Sequence, residues 1–140
     1  MNIELFSIND YDDLLSLWER CGLPYDRTNR DSRENIEQQT YDDHIIIYLL
    51  RDDTGKLIGS VIASSDGRKG WINRLAVDPD YRGKRLGERL LEKAEEFLRG
   101  MGVEIIAALI EDVNFPSMAL FRRCGYEGWD KIVYFRKQLT

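Results

Sequence analysis

Residues 82–87 (RGKRLG) combine two glycines with three basic side chains in one short run. Glycines in a turn that enters a helix leave backbone N–H groups exposed, and the helix dipole adds positive potential at the same point. The run therefore indicates a cradle for the negative charge of a pyrophosphate. A plain turn followed by a basic helix start would have the same composition, and the run alone supports both interpretations equally.

Two common phosphate-binding patterns are absent from this run. A dinucleotide fingerprint needs G-x-G-x-x-G after the first strand of a βαβ unit, and a P-loop needs G-x-x-x-x-G-K-[ST]. Neither spacing occurs at residues 82–87. By elimination, the diphosphate of a coenzyme A molecule is a candidate ligand.

Apolar periodicity around the run predicts the elements that position it. A strand is expected at 71–77, and a helix at 83–100 because apolar residues recur at helical spacing from Leu86 to Met101. The nearly apolar segment 103–110 predicts a strand that is buried on both faces. Strand, helix and strand in this order form a βαβ unit, so the two strands should be parallel.

The remaining patterns predict a mixed α/β (α+β) fold in one domain, residues 1–140. Strands 45–50, 57–63 and 71–77 are separated by short turns, which is typical of an antiparallel meander. The central mixed sheet should have about six to seven strands, accompanied by about four helices. The other predicted elements are strands at 2–8 and 126–139 and helices at 11–20, 32–40 and 114–124.

Composition and charge exclude several classes of function. The net charge is −5, from 20 basic and 25 acidic side chains, which argues against a nucleic-acid-binding protein. No stretch reaches the roughly 18 apolar residues of a membrane helix, and the first residues lack a secretory signal, so a cytoplasmic location is expected. Two cysteines, Cys21 and Cys124, and the single histidine, His44, are too few for a structural zinc site, so no metal is expected.

Two segments resemble motifs of the GNAT (Gcn5-related N-acetyltransferase) superfamily. Residues 75–87 (LAVDPDYRGKRLG) resemble motif A, whose pattern is Q/R-x-x-G-x-G/A after a strand. Arg82 matches the first position and Gly87 the last, whereas Arg85 replaces the middle glycine. Residues 114–126 (NFPSMALFRRCGY) resemble motif B, with the expected asparagine, leucine, glycine and aromatic residue.

This resemblance implies an N-acetyltransferase that uses acetyl-CoA as its co-substrate. The acetyl group would pass to a primary amine by direct attack in a ternary complex, and the acceptor is expected to be a small amine or an amino-acid-like molecule. A protein N-terminus or lysine is an alternative acceptor. A non-catalytic acyl-CoA-binding regulatory module is an alternative of a different class.

The resemblance also implies which residues bind the CoA. A bulge near residues 75–77 would offer main-chain groups to the pantetheine, and an N–H of Val77 or its neighbour would stabilise the oxyanion. Strands 71–77 and 103–110 would splay at their C-terminal ends to admit the pantetheine. The implied CoA-binding residues are Leu75, Ala76, Val77, Arg82, Gly83, Lys84, Arg85, Leu86, Gly87, Glu88, Asn114, Ser117 and Phe121.

The resemblance also bears on proton transfer. Many family members have a tyrosine that protonates the departing thiolate, and Phe121 occupies that position here without a hydroxyl. Water, another residue such as Tyr126 or Tyr134, and release of the thiolate without a dedicated acid are the alternatives. Strand 71–77 has no carboxylate, so Glu111 and the adjacent Asp112 are the nearest candidate bases, with solvated loop charges or a water relay as alternatives. Asn114 is the candidate partner of the pantetheine, with a plain helix cap as its alternative.

Acceptor binding is expected in residues 20–44. An aromatic ring beside a carboxylate at Tyr25 and Asp26 could hold a cationic amine, although an ordinary loop would have the same sequence. Asn73, on the strand before the cradle, is a third candidate for acceptor contact. By analogy with dimeric family members, the terminal strand at 126–139 is the candidate interface of a homodimer.

Overall fold

The structure is a computed structural model that describes residues 1–139 of the 140-residue chain. Within these residues the chain forms five strands and four α-helices, with short 3₁₀ helices at Ile8–Asp10 and Pro79–Tyr81. The strands are β1 (Asn2–Leu5), β2 (Ile45–Arg51), β3 (Leu57–Ser65), β4 (Gly70–Val77) and β5 (Ile106–Ala108). The helices are α1 (Tyr11–Arg20), α2 (Arg33–Gln39), α3 (Leu86–Gly100) and α4 (Phe115–Arg123).

The five strands form one mixed sheet in the order β1-β2-β3-β4-β5. Neighbouring strands from β1 to β4 are antiparallel, and β5 is parallel to β4. The predicted meander and the predicted parallel pair across α3 are both confirmed. The fold class is therefore the mixed α/β class that the apolar patterns indicate.

Helices cover both faces of this sheet. A Cβ added to Gly59 of β3 would lie 2.9 Å from the Leu90 side chain of α3, whereas the adjacent Ser60 accepts a hydrogen bond from Trp18 of α1 at 3.1 Å. Successive residues of a strand point to opposite faces, so α1 and α3 pack on opposite sides. The α1 face is closed mainly by Leu14 and Leu17, both fully buried.

The short helix α2 depends on two local features. The Ser32 side chain accepts a hydrogen bond from the Asn35 N–H at 3.1 Å and so caps the first turn. Ile36 is its one buried residue, with 1% exposure. The helix predicted at 32–40 is confirmed.

The chain packs as two compact units, the first comprising residues 1–109 and the second beginning at Ile110. The whole sheet and helices α1 to α3 belong to the first unit, and α4 belongs to the second. That both units form a single domain over residues 1–140 stays a prediction.

The strand predicted at 103–110 is wrong in its length and burial. β5 contains only Ile106–Ala108, all three residues are half-buried, and the flanking Ile105 and Leu109 are 55% and 61% exposed. The physical reason is its place at the edge of the sheet, where it has a strand partner on one side only. An apolar segment stays exposed where no second strand packs beside it.

The terminal strand predicted at 126–139 is also wrong, and the described residues contain five strands rather than six to seven. The β-branched and aromatic residues Ile132, Val133, Tyr134 and Phe135 are all more than 60% exposed. Strand propensity is insufficient without a partner strand to take up the backbone hydrogen bonds. No such partner pairs with this segment within residues 1–139.

None of the helices formed by residues 1–139 is both long enough and apolar enough to cross a membrane.

Candidate active site

The edge of β4 that faces β5 is only partly paired. Pairing between the two strands covers Gly70–Ile72 of β4, and no strand within residues 1–139 pairs with Asn73–Val77 on that side. This agrees with the expected divergence of the two strands. The main chain of residues 73–77 is therefore open to an extended ligand, which can bind there as an added strand would.

A β-bulge interrupts the other edge of β4. Arg74 and Leu75 together oppose the single residue Val61 of β3. Arg74 has a left-handed φ of 54°, as in the type of bulge that usually carries glycine at this position. The resemblance to motif A predicted a bulge near residues 75–77, and the structure places it one residue earlier.

A buried carboxylate, Asp78, fixes the exit of β4. It is 2% exposed and accepts hydrogen bonds from Arg20 Nε and from the Asp80 N–H, each at 2.9 Å, and Lys56 Nζ lies 3.7 Å away. Burial acts to raise the pKa of this carboxyl, but the hydrogen bonds and the two positive charges outweigh it and lower the pKa. Asp78 is therefore an ionised anchor for the loop that follows.

Tyr81 links this loop to the turn between β2 and β3. Its hydroxyl donates to Asp52 Oδ2 at 2.6 Å, and this bond raises the pKa of the tyrosine. The ammonium groups of Lys84 and Lys56 lie 5.3 Å and 5.9 Å from the centre of its ring. Cations at this distance are attracted by the ring face, so Tyr81 holds one basic residue of the cradle in place.

Residues 83–87 form the turn and the first turn of α3. Gly83 has a φ of 83° and Arg85 a φ of 60°, so both are left-handed. No hydrogen bond among the described residues occupies the N–H groups of residues 83–87. For Leu86 and Gly87 the reason is that the first turn of a helix has no internal partner for them. These free donors at a helix N-terminus fit the diphosphate of CoA.

The left-handed turn explains the departure from motif A. Arg85 stands where the pattern has its middle glycine, and it adopts a conformation that costs a residue with a Cβ about 1–2 kcal/mol. Its side chain is 85% exposed and lies 3.8 Å from Glu88. The backbone thus keeps the shape that glycine would favour, while the side chain stays available to a ligand.

The other predicted cradle residues have distinct roles. Arg82 Nε donates to the Val77 carbonyl at 3.3 Å, which folds this side chain back onto the end of β4. Leu86 is 5% exposed, so its side chain belongs to the core and only its main chain can serve a ligand. Sequence reasoning missed Tyr81, although its position inside motif A and its aromatic ring were available signals.

The loop before α2 reaches β4 through a charge pair. Arg74 Nη2 lies 3.3 Å from Asp31 Oδ2, and the Arg74 guanidinium lies 4.6 Å from the centre of the Trp18 ring. Asp31 is 6% exposed. The sequence predicts acceptor binding in residues 20–44, which include Asp31, but gives Arg74 no role, because nothing in the sequence pairs residues that lie so far apart.

The predicted acceptor residues are placed around this pair. Asp26 accepts hydrogen bonds from the Thr28 hydroxyl at 2.7 Å and from the Thr28 N–H at 3.0 Å, which lower its pKa. The Tyr25 hydroxyl donates to Glu19 at 3.4 Å. Asn73 is exposed and directly precedes the bulge residue Arg74.

The sequence profile of the acetyltransferase (GNAT) family matches residues 11–126, from the start of α1 to just beyond α4. The chain belongs to the GNAT acetyltransferase family. It is therefore an acyl-transfer enzyme with acetyl-CoA as co-substrate. The open edge of β4 and the free N–H groups of residues 83–87 are the features of this GNAT domain that fit such a co-substrate.

Relatives of known sequence or structure align with this GNAT chain over nearly its whole length. "Acetyltransferase SG1711" of Sodalis glossinidius is 29% identical over 139 residues, which are 99% of this chain and 96% of that protein. The aminoglycoside 6'-N-acetyltransferase AAC(6')-IG of Acinetobacter haemolyticus has a TM-score of 0.81 at 21% identity, with all of both chains covered. AAC(6')-Iy, in complex with a CoA-S-monomethyl-acetylneamine bisubstrate analogue, has a TM-score of 0.78 at 20% identity, covering 98% and 97% of the two chains.

Motif B of this GNAT chain lies in the second unit. The Asn114 side chain accepts the Ser117 N–H at 3.2 Å and caps α4, as the alternative interpretation expected. Glu111 is exposed, and its main-chain carbonyl accepts the Asn114 N–H at 3.0 Å. The Phe121 ring meets the Tyr126 ring edge-on, with 4.9 Å between their centres. The predicted roles of these residues toward CoA and the amine stay predictions.

One thiol, Cys21, lies at the end of β4, and the single histidine lies in the turn before β2. Cys21 and Cys124 are both half-buried, and the Cys21 thiol donates to the Val77 carbonyl at 3.4 Å. His44 is an exposed turn residue with Nδ1 3.5 Å from Asp42, as its sequence position indicates. Within residues 1–139, no three His, Cys, Asp or Glu side chains are grouped to hold a metal ion.

Proposed function

We propose that this enzyme transfers the acetyl group of acetyl-CoA to the primary amine of a small or amino-acid-like acceptor, by direct attack in a ternary complex. The observation that carries the proposal is the continuity of two binding features along one stretch of main chain. The unpaired edge of β4 at residues 73–77 leads through Asp78 and Tyr81 into the free N–H groups of residues 83–87.

In the proposed complex, the diphosphate binds at residues 83–87 and the pantetheine extends along residues 75–77. The amine nitrogen attacks the thioester carbonyl carbon, and the N–H of Val77 stabilises the oxyanion that forms. The neighbouring Asp78 N–H is already bonded to the Ile58 carbonyl at 2.7 Å. The C–N bond forms, the C–S bond breaks, and CoA leaves as a thiolate that takes up a proton. Because no covalent enzyme intermediate is needed, positioning of the two substrates supplies much of the rate.

Two proton transfers accompany the reaction, one from the amine and one to the thiolate. β4 carries no carboxylate, so Glu111 is the proposed base that accepts the proton of the amine, either directly or through water. Asn114 is the proposed partner of the pantetheine, in addition to its role as the cap of α4. Phe121 has no hydroxyl, so water is the proposed proton donor to the thiolate.

The proposed acceptor contacts are Tyr25, Asp26 and Asn73. The Asp26 carboxylate is charged at neutral pH, as an ordinary aspartate is, and this charge suits a cationic amine. Asn73 is exposed beside the open edge of β4. A small amine as acceptor is supported by the aminoglycoside acetyltransferases of similar fold, one of which is bound to an acetylneamine analogue.

The test is release of free thiol from acetyl-CoA with a panel of small amines, amino acids and short peptides. Gly87→Glu, which places a negative charge in the first turn of α3, and Arg82→Ala should both weaken acetyl-CoA binding. Arg99→Ala at the other end of α3 is the matched control and should bind normally, since Arg99 contacts only Glu95 at 3.8 Å among the ion pairs of residues 1–139. Tight acetyl-CoA binding without turnover of any amine would favour the regulatory module, and turnover of peptides alone would favour a protein acceptor.

We also propose a homodimer and a cytoplasmic location. The apolar residues of segment 129–139 are exposed, and a second copy of the chain could cover them. A content of only two cysteines in 140 residues is compatible with a reducing compartment. The mass in solution measured by light scattering tests the dimer, and a monomer at all concentrations would contradict it.

A further inference from the structure

The main chain at the bulge of β4 adopts a conformation that its residue type disfavours. Arg74 has a φ of 54°, a region that residues with a Cβ rarely occupy. Such a conformation persists only where surrounding contacts hold it. Arg74 directly precedes residues 75–77, the stretch proposed to bind the thioester, so the contacts that hold Arg74 also hold this part of the site.

Both the backbone and the side chain of Arg74 are fastened to Trp18. The Ser60 hydroxyl donates to the Arg74 carbonyl at 2.9 Å and accepts from Trp18 Nε1 at 3.1 Å. The Arg74 guanidinium returns to the same indole, 4.6 Å from its ring centre. Trp18 and Ser60 are fully buried, so these contacts anchor Arg74 to the core between α1 and β3.

A second connection joins Arg74 to the loop that precedes α2. Asp31 Oδ2 lies 3.3 Å from Arg74 Nη2 and also accepts the Asp26 N–H at 3.0 Å. The main-chain carbonyl of Asp31 accepts the Tyr11 hydroxyl at 2.6 Å. Residues 26–31, which include a proposed acceptor contact, are thus tied through one buried carboxylate to the bulge of β4.

We propose that Arg74 is a positioning residue that couples the acceptor loop to the thioester-binding main chain. Its side chain, held by Trp18 and Asp31, keeps the bulge in its left-handed form and orders residues 26–31 at the same time. The inference deepens the proposed function and rests on it. Acceptor binding that orders the loop then also steadies the main chain that stabilises the oxyanion.

Amide hydrogen exchange of the unliganded protein tests the coupling without any need for activity. Asp31→Asn keeps the shape of the side chain and removes its charge, and it should speed exchange both at residues 26–31 and at residues 73–77. Arg30→Ala is the matched control, because Arg30 Nε lies 3.6 Å from the same carboxylate but Arg30 is largely exposed and has no contact with β4 among the ion pairs of residues 1–139. It should leave exchange at residues 73–77 unchanged.

Steady-state kinetics tests the consequence for the reaction. Arg74→Gly permits the left-handed backbone and removes the side chain, whereas Arg74→Lys keeps the charge and loses the planar group that stacks on Trp18. Both should lower kcat about 10- to 100-fold, as loss of positioning does, while the affinity for acetyl-CoA, set mainly by residues 83–87, changes little. Arg74→Gly should retain a normal melting temperature more closely than Arg74→Ala.

Two results would overturn the inference. One is unchanged exchange at residues 73–77 in Asp31→Asn and in Arg74→Lys, which would make the contact a local one. The other is a normal kcat in Arg74→Gly, which would show that only the backbone conformation matters. If the wild-type protein acetylates no amine, the proposed function fails, and the exchange comparison still decides whether the loop and the bulge are coupled.

Discussion

Replacing Arg85 by glycine should stabilise the protein although it removes a basic residue from the cradle. Relief of the left-handed conformation contributes about 1–2 kcal/mol to the free energy of unfolding. The greater freedom of glycine in the unfolded chain costs about 0.5–1 kcal/mol, and loss of the exposed pair with Glu88 costs about 0.3 kcal/mol. The sum leaves roughly 0.5 kcal/mol in favour of Arg85→Gly.

Arg85→Ala is the matched control for this change. It removes the same side chain but keeps the left-handed strain, so it should be about 0.3 kcal/mol less stable than the wild type. The gap between the two variants is then about 0.8 kcal/mol, or about 2–3 °C in Tm. Urea unfolding followed by tryptophan fluorescence resolves a difference of this size when both variants are measured together.

Acetyl-CoA affinity of the same two variants reports on the cradle itself. Both lose the same positive charge, so any difference between them arises from the backbone of residues 83–87. Arg85→Gly should bind acetyl-CoA at least as tightly as Arg85→Ala, since its turn is relaxed in the binding conformation. A glycine variant that is no more stable than the alanine variant would refute the reasoning, because Arg85 would then carry no strain.

Further predictions concern the sheet and the cradle. Gly59→Ala should lower the free energy of unfolding by about 1–3 kcal/mol, because the added Cβ would crowd the Leu90 side chain. Gly100→Ala is the control within a helix: no atom lies within 4 Å of its added Cβ, and it should raise the free energy of unfolding by about 0.5 kcal/mol. Asp78→Asn should lower the free energy of unfolding by about 2 kcal/mol at pH 7. Because the pKa of Asp78 is lowered in the folded state, the stability that its carboxylate contributes is present above about pH 4. In urea unfolding at a series of pH values, the difference in free energy between wild type and variant should therefore shrink as the pH falls below about 4. Tyr81→Leu should weaken acetyl-CoA binding in calorimetry more than Tyr81→Phe, which keeps the ring; equal losses would show that the hydroxyl matters and the ring does not.

Elements with strong local patterns were predictable from the sequence. Helix α3 has apolar residues at helical spacing and ends before Gly102, whose φ of 79° stops the helix. The meander follows from short apolar runs with intervening turns. Even α2 was predictable, because Ser32 and Ile36 supply a cap and an anchor that the sequence shows directly.

Features that depend on remote partners were not predictable. The extent of β5 is set by how far β4 pairs with it, and the apolar run 103–110 contains no sign that pairing ends after three residues. The left-handed conformations of Arg74 and Arg85 could not be predicted from their residue type, because arginine rarely adopts this conformation. The contact between Asp31 and Arg74 joins residues that are 43 positions apart.

The open edge of β4 also bears on how such an enzyme can diverge. Main-chain groups at residues 73–77 are the same whatever side chains occupy those positions, so in the proposed binding mode substitutions can accumulate there while acetyl-CoA is still recognised. In the same proposal, the side chains of the loop before α2 carry no such protection and can change with a new acceptor. The fold itself is shared with AAC(6')-IG at 21% identity, so it tolerates the replacement of most side chains.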